Sequence, residues 1–323
     1  MGMRVLITGA TGFVGSHLIE FLLRLKDEGE DLEIYGCRRR RSDMSNVQHV
    51  ASKIEWVELE LTDPHSAQHV VEEVEPDVIH HLAGQTFVPT SFKAPQETLM
   101  VNGVGTVNLL EAVRRADLDP VIHICGSSEQ YGLVRPDEVP VKETNPLRPL
   151  SPYGVSKVVE DLISQQYHHS YGLKTVITRA FNHEGPRRHE AFVTSNFAKQ
   201  IVEIEKGLRP PVVRVGNLEA VRDYTDVRDV VRAYWLAVQK CDYGEPYNIC
   251  SGKGWKIRDV LDTLLRISGV EAKIEVDPAR LRPSDVPLLG GDCSKFREKT
   301  GWKPEIPFEK TLEDLLEWWR ERI

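Results

Sequence analysis

The chain contains no run of 18 apolar residues, so no segment reads as a helix long and apolar enough to cross a membrane. It has no Asn-x-Ser/Thr acceptor, and its five cysteines (Cys37, Cys125, Cys241, Cys250, Cys293) are scattered without a CxxC pair. That odd, dispersed set excludes a disulfide scaffold and predicts a reduced, cytoplasmic protein. A basic excess is also missing. Lys and Arg number 41 against 49 Asp and Glu, for a net charge of −8. Nucleic-acid binding needs a basic face that releases phosphate counterions, so no nucleic-acid partner is expected. The one dense basic run, Arg38-Arg39-Arg40-Arg41, is enough for a single phosphate group. The chain opens with MGMRVLITG, already strand-like, and so predicts no leader peptide and no membrane partner.

What is present is an alternation. RVLITG, LEIYGC, IEWVELEL, DVIHHLAG, VIHICGSS and KTVITRAF read as strands. Between them FVGSHLIEFLLRL and the segments 64–75, 98–116 and 152–171 read as helices. Strands alternating with helices predict an α/β fold with a doubly wound, Rossmann-type parallel sheet. Past residue 182 the pattern loosens into helices linked by proline-rich turns, with Asp226 as an N-cap. We divide the chain into a cofactor domain, 1–181, to which later segments return, and a smaller, interleaved C-terminal substrate-binding lobe, 182–323.

TGATGFVG follows the first strand and opens a helix, with Gly9, Gly12 and Gly15 spaced GxxGxxG. Such glycines allow a tight turn and close backbone approach to a pyrophosphate at the helix N-terminus. Gly9, Thr11, Gly12, Phe13, Val14 and Gly15 are therefore candidate dinucleotide contacts. At the end of the second strand an NAD site usually carries an acid for the ribose 2′-OH. Here stand Cys37 and Arg38, followed by Arg39. Guanidinium forks suit a 2′-phosphate, which favours NADP, with NAD possible. Asp63, after the third strand, is placed to touch the adenine, and Leu82 and Ala83 of HLAG should run beneath the cofactor.

SPYGVSKVVEDL places Tyr153 and Lys157 four apart on one helix face. A neighbouring ammonium, with the positive nicotinamide nearby, favours phenolate, so Tyr153 should be acidified into an acid–base group. Ser127, at the end of the fifth strand, supplies a hydroxyl for the reacting oxygen. His65 with His69, His80–His81 and His168–His169 lack a carboxylate or cysteine to complete a tetrahedral set, so no metal is expected. Trp318–Trp319 reads as core packing.

With these motifs the chain resembles an extended short-chain dehydrogenase/reductase acting on nucleotide sugars. It is most similar to the GDP-mannose 4,6-dehydratases and the GDP-4-keto-6-deoxymannose reductases. The resemblance implies a GDP-linked sugar as substrate. It also implies a homodimer or homotetramer built through the helices of Asn102–Ala116 and Tyr153–Tyr171. In RAFNHEGPRR it implies that Asn182 bonds a phosphate oxygen or a sugar hydroxyl. In FVTSNFAKQI it implies that Val193 and Lys199 meet base or ribose. Arg222 and Arg282 would clamp the diphosphate, and Ser128 would touch the sugar.

GSSEQYG then raises the choice of reaction. Glu129, two positions beyond Ser127, would lie on the same side of an extended strand. A dehydratase needs such a carboxylate to take the C5 proton, whereas a 4-reductase does not. AGQTFVPTSFKAP and NHEGPRR resemble the dehydratases, while TGATGFVG and RDYTDVRD resemble reductases or 4-epimerases. The 4,6-dehydratase is the preferred reading, with the reductase and the epimerase as alternatives. A non-enzymatic NADP-binding regulator predicts a damaged Ser–Tyr–Lys set, and here the set is intact.

Overall fold

The computed structural model describes residues 2–281 and 286–323. The first half runs β1 (Met3–Thr8), α1 (Phe13–Asp27), β2 (Leu32–Arg38), β3 (Glu55–Glu58), α2 (Pro64–Val74) and β4 (Val78–His81). It continues through α3 (Val88–Lys93), α4 (Pro95–Leu99), a π-helical turn (Met100–Val104), α5 (Gly105–Arg115), β5 (Val121–Ser127), α6 (Pro152–Tyr171) and β6 (Lys174–Ala180). The second half holds β7 (Asn182–Glu184), α7 (Val193–Glu205), β8 (Val212–Val215), β9 (Val221–Asp226), α8 (Val227–Lys240) and β10 (Pro246–Ile249). After these come β11 (Gly254–Lys256), α9 (Ile257–Ser268), β12 (Lys273–Val276), β13 (Leu288–Leu289), α10 (Ser294–Thr300) and α11 (Phe308–Arg320).

The main sheet has seven strands in the order β10-β6-β5-β4-β1-β2-β3, and every pairing in it is parallel. Parallel strands covered on both faces must be apolar throughout, and Val5, Leu6 and Ile7 of β1 are fully buried. One face packs on α2 and α5 through residues such as Val71, Leu109 and Ile122. The other packs on α1 and α8 through Leu18, Val231 and Trp235. The chain order reverses between β1 and β4, the switch point at which doubly wound sheets open a crevice.

Local chemistry sets the helix ends. Asp63 caps α2 by accepting from the His65 amide, with Pro64 in the first turn. Ser151 caps α6 through the Gly154 amide, and the helix stops at left-handed Gly172. Asp226 caps α8, as its sequence context implied. Two expectations need correction. The helix expected over 98–116 is broken by the π turn, which turns Asn102 inward to bond Gln85 and Ser156. The third strand pairs only over Glu55–Glu58, although Leu59 and Leu61 beyond it stay buried.

The C-terminal segment adds β10 to the main sheet and builds a smaller one of its own. β11, β9 and β13 lie side by side, with β7 also paired to β9. Helices α7, α9 and α11 enclose a separate core that includes Leu261, Leu264, Leu312 and Leu315, each fully buried. Burying each such side chain stabilises by roughly 1.5–3 kcal/mol. Because β7 starts two residues after β6 ends, the chain passes from the main sheet straight into the smaller one beside the crevice.

Candidate active site

The glycine loop lies at the C-terminal end of β1. Gly9 has φ +69°, and a Cβ there would sit 2.8 Å from the Ala83 nitrogen. At Gly15 a Cβ would come within 2.3 Å of the Gly9 carbonyl oxygen, so only glycine lets α1 lie this close to the loop. Gly12 precedes α1 with extended backbone and no side-chain cap, and no acid stands in the first turn. The first amides of α1 are thus left for an anion. Thr11, Phe13 and Val14 are half-buried around this turn. Beside it, the Thr8 hydroxyl accepts from the amides of Leu82 and Ala83, 3.1 Å each, and fixes the loop after β4.

Arg38 ends β2 with its guanidinium 6.0 Å from the Trp56 ring, and its Nε is buried without a hydrogen-bond partner. Arg39 beside it is exposed, and Cys37 is buried. A glycine cradle that a Cβ would fill, together with an unsatisfied guanidinium nitrogen and no acid, fits a dinucleotide carrying a 2′-phosphate. Asp63 is exposed, and its carboxylate is engaged as the cap of α2.

At the end of β5 the Ser127 hydroxyl accepts from the Glu129 amide at 3.2 Å. Tyr153, in the first turn of α6, is buried, and the Lys157 ammonium lies 5.9 Å from its ring centre. Lys157 donates to the Cys125 carbonyl at 2.9 Å and to Glu160 at 2.8 Å. Lys157 by itself does not acidify Tyr153, so the weight given to that ammonium is corrected here. Burial raises the phenol above its ordinary value and outweighs the opposing influence of Lys157 and Ser127. The Glu129 geometry is corrected too. β5 stops at Ser127, and Ser128–Gln130 forms a single 3₁₀ turn, so the two side chains do not share a strand face. Ser128 is buried and Glu129 half-buried; among the described residues no hydrogen bond or ion pair engages the Glu129 carboxylate.

Two residues that the motifs did not single out enter the site. Arg188 lies 3.5 Å from the Phe192 ring and 5.0 Å from that of Phe13, with Glu184 at 3.8 Å. Its guanidinium makes no hydrogen bond among the described residues, and its charge reaches Tyr153. Glu160, buried against Lys157, is pushed up to about 7 by its burial. RAFNHEGPRR announced both arginines, but charge alone does not tell Arg187 from Arg188. Glu160 was readable only as one more helical acid.

In the smaller lobe Asn182 opens β7 and is half-buried. Lys199 pairs with Glu190 and borders a cavity of about 330 Å³ that also meets His189, Asn196, Gln200 and Arg280. Val193 begins α7 and packs on the lobe core. Arg222 is buried in β9, and one of its nitrogens donates to the carbonyl oxygens of Val286, at 2.6 Å, and Val221, at 2.9 Å. Arg282 lies outside the described residues. The structure therefore gathers Gly9–Gly15, Ala83, Ser127, Tyr153 and Lys157 at one crevice and sets the Lys199 cavity apart in the smaller lobe. His80 and His81 are buried and neutral, each depressed to about 3 by burial, and bond His123, Thr8 and Thr106.

A seven-stranded sheet of this order, a glycine loop at its first turn and a Ser–Tyr–Lys set at its crevice define an enzyme of the Rossmann-type short-chain dehydrogenase/reductase class. Residues 6–315 match the family described as GDP-mannose 4,6 dehydratase, and the chain belongs to that family. It is 33% identical to the GDP-6-deoxy-D-mannose reductase of Pseudomonas aeruginosa over 323 residues, which cover 100% of this chain and 99% of the relative. It is equally 33% identical to the GDP-mannose 4,6-dehydratase of Yersinia enterocolitica over 353 residues, covering 97% and 92%. The solved structure of RMD from Pseudomonas aeruginosa complexed with NADPH superposes with a TM-score of 0.84 at 31% identity, covering 99% of this chain and 100% of the other.

Proposed function

We propose that this enzyme is a nucleotide-sugar 4,6-dehydratase that converts GDP-mannose to GDP-4-keto-6-deoxymannose with bound NADP. The observation that carries the reading is the half-buried Glu129 carboxylate, unengaged among the described residues and two residues beyond Ser127 in the turn that Ser127 caps. The glycine loop, Arg38 and Leu82–Ala83 would hold the cofactor, and Arg39 and Asp63 would meet its adenosine. NADP, when bound, supplies a hydride acceptor that can also return the hydride. Tyr153 takes the proton from the sugar 4-hydroxyl while Ser127 holds that oxygen. Once C4 is a carbonyl, the C5 proton is acidic; Glu129 removes it and passes it to the departing C6 hydroxyl, which leaves as water, and the proton that Tyr153 took from the 4-hydroxyl goes to C5 as C6 is reduced. Lys157 stabilises the phenolate. Asn182, Val193, Lys199, Arg222 and Arg282 bind the nucleotide sugar, with Ser128 against the hexose.

A second reading, an NADPH-dependent 4-reductase, is favoured by one observation. The alignment with the reductase runs over 323 residues, this chain's own length, whereas that with the dehydratase extends to 353. In that reading Tyr153 donates a proton to O4 and Glu129 is idle. Incubation with GDP-mannose and NADP⁺, without added reductant, separates the two. A product lighter by one water supports dehydration, and its absence in Glu129→Gln with substrate binding intact assigns the elimination to Glu129. Turnover confined to the keto sugar with NADPH, and untouched by Glu129→Gln, overturns the first reading. A 4-epimerase returns product of unchanged mass. Unchanged biological output from Tyr153→Phe would point instead to a regulator.

The enzyme works as a homodimer or homotetramer. Val155, Val159 and Leu162 of α6 and Met100 and Val104 of the adjoining π turn form an exposed apolar face, with Leu162 52% exposed. Leu162→Glu should give a monomer by light scattering. Five free cysteines support a reducing, cytoplasmic location.

A further inference from the structure

Lys157 is not a free ammonium beside a phenol. Its Nζ sits between the Cys125 carbonyl, 2.9 Å away, and Glu160 Oε2, 2.8 Å away. The lysine side chain is 5% exposed and that of Glu160 1%. The second carboxylate oxygen of Glu160 is buried with no hydrogen-bond partner. An ion pair this deep is a costly way to hold a helix, because taking both charges out of water cancels much of their attraction. Apolar residues at both positions would pack α6 at less expense, whereas removing Glu160 alone would strand the buried Lys157 charge. We propose that Glu160 is a positioning residue for the reaction: its buried carboxylate fixes the Lys157 ammonium between two acceptors and offsets part of the positive charge that Lys157 presents to Tyr153. The inference rests on the reading of Tyr153 and Lys157 as the proton-transfer pair.

The surroundings leave Glu160 as the acid that matters to this pair. On α6 it faces Lys157 and Tyr153, with Asp161 next to it; Asp161 is held by Arg179, 2.8 Å away, and by Gln130. From β5 come Cys125 and a deeply buried, neutral His123, and from β4 neutral His81. Tyr234 of α8 contacts the Cys125 sulfur at 3.2 Å, and Arg188 approaches Tyr153 from the loop before α7. Lys157 favours the phenolate, whereas Glu160 opposes it. Removing the carboxylate charge while keeping an oxygen for Lys157 should therefore let Tyr153 ionise at lower pH.

The experiment is the ionisation of Tyr153 in Glu160→Gln. Phenolate absorbance, taken as the difference from the same protein carrying Tyr153→Phe, is followed against pH alongside kcat/KM. Both the phenol titration and the acidic limb of the kcat/KM profile should move to lower pH by about one unit, a tenfold change in the ionisation constant. Curves that superimpose on those of the unmodified enzyme, or that move to higher pH, overturn the inference. Should Glu160→Gln not fold, Glu160→Asp withdraws the carboxylate by one methylene and should shift Tyr153 in the same direction by less; no shift or the opposite sign overturns it equally. If Tyr153→Phe keeps full activity, the proton-transfer reading fails while the phenol titration still decides the role of Glu160. If Tyr153→Phe is inactive and the Glu160→Gln curves do not move, Glu160 alone is wrong.

Discussion

Arg187 and Arg188 are neighbours in sequence, each faces a glutamate, and the two pairs behave in opposite ways. Arg187 forks onto both oxygens of Glu20 at 2.6 Å and also donates to Nδ1 of His17. Its backbone is left-handed, with φ 72°, which directs it back onto α1. Glu20 is half-exposed and held down to about 2, chiefly by Arg187 working against burial. Arg188 stands 3.8 Å from Glu184 with no direct hydrogen bond, between two aromatic rings. Glu184 is 2% exposed and pushed up to about 7 by burial. The first pair is a tether between α1 and the loop after β7. The second leaves a cation open to the crevice. Identical residue types become a hydrogen-bonded fastener or a cation stacked between rings according to hydrogen-bond geometry and water access.

The largest effect expected from this contrast is at Arg188. Arg188→Met should lower kcat/KM by about 10²–10³ with little change in melting temperature; a loss of stability with full activity would erase the distinction. Next comes Arg38, whose Nε is also buried without a hydrogen-bond partner. Arg38→Glu should weaken NADP by about tenfold to a hundredfold more than NAD in paired titrations, because an acid repels the 2′-phosphate; equal losses would remove Arg38 from that phosphate.

Smaller effects concern stability. Glu184 carries a folded-state pKa above its unfolded 4.5, so its contribution is complete below about pH 4.5 and is lost as pH rises through about 7. Glu184→Gln should flatten the fall in unfolding free energy between pH 5 and 8 by about 2 kcal/mol in urea titrations; parallel curves would show that Glu184 stays charged. Smallest is Arg187→Met. It should cost about 1–2 kcal/mol, reduced by the exposure of Glu20, and leave kcat within a few-fold in assays on folded protein.

Much of the cofactor half could be read along the chain, because its determinants are local. The GxxGxxG spacing, the strand before it and the helix after it are contiguous, and Gly15 meets Gly9 six residues away. Tyr153 and Lys157 share a face through helical periodicity alone. The sugar half was less legible. Strands β7, β9, β11 and β13 are two to six residues long and carry no repeat to read. Arg222 is conspicuous as a charge, yet hydrogen bonds to backbone carbonyls engage it.

By itself the sequence determined the order of the main strands and helices, the glycine turn and the spacing of the Tyr–Lys pair. Each depends on steric and hydrogen-bonding rules that act within a few residues. Tertiary structure decided the electrostatics. It buried Tyr153 so that desolvation outweighs Lys157, seated Glu160 under that lysine, broke the β5 face before Glu129, and sent Arg187 to a carboxylate and Arg188 to the crevice. Charge–charge energies depend on distance and on the exclusion of water, and both are set by residues far apart in the chain.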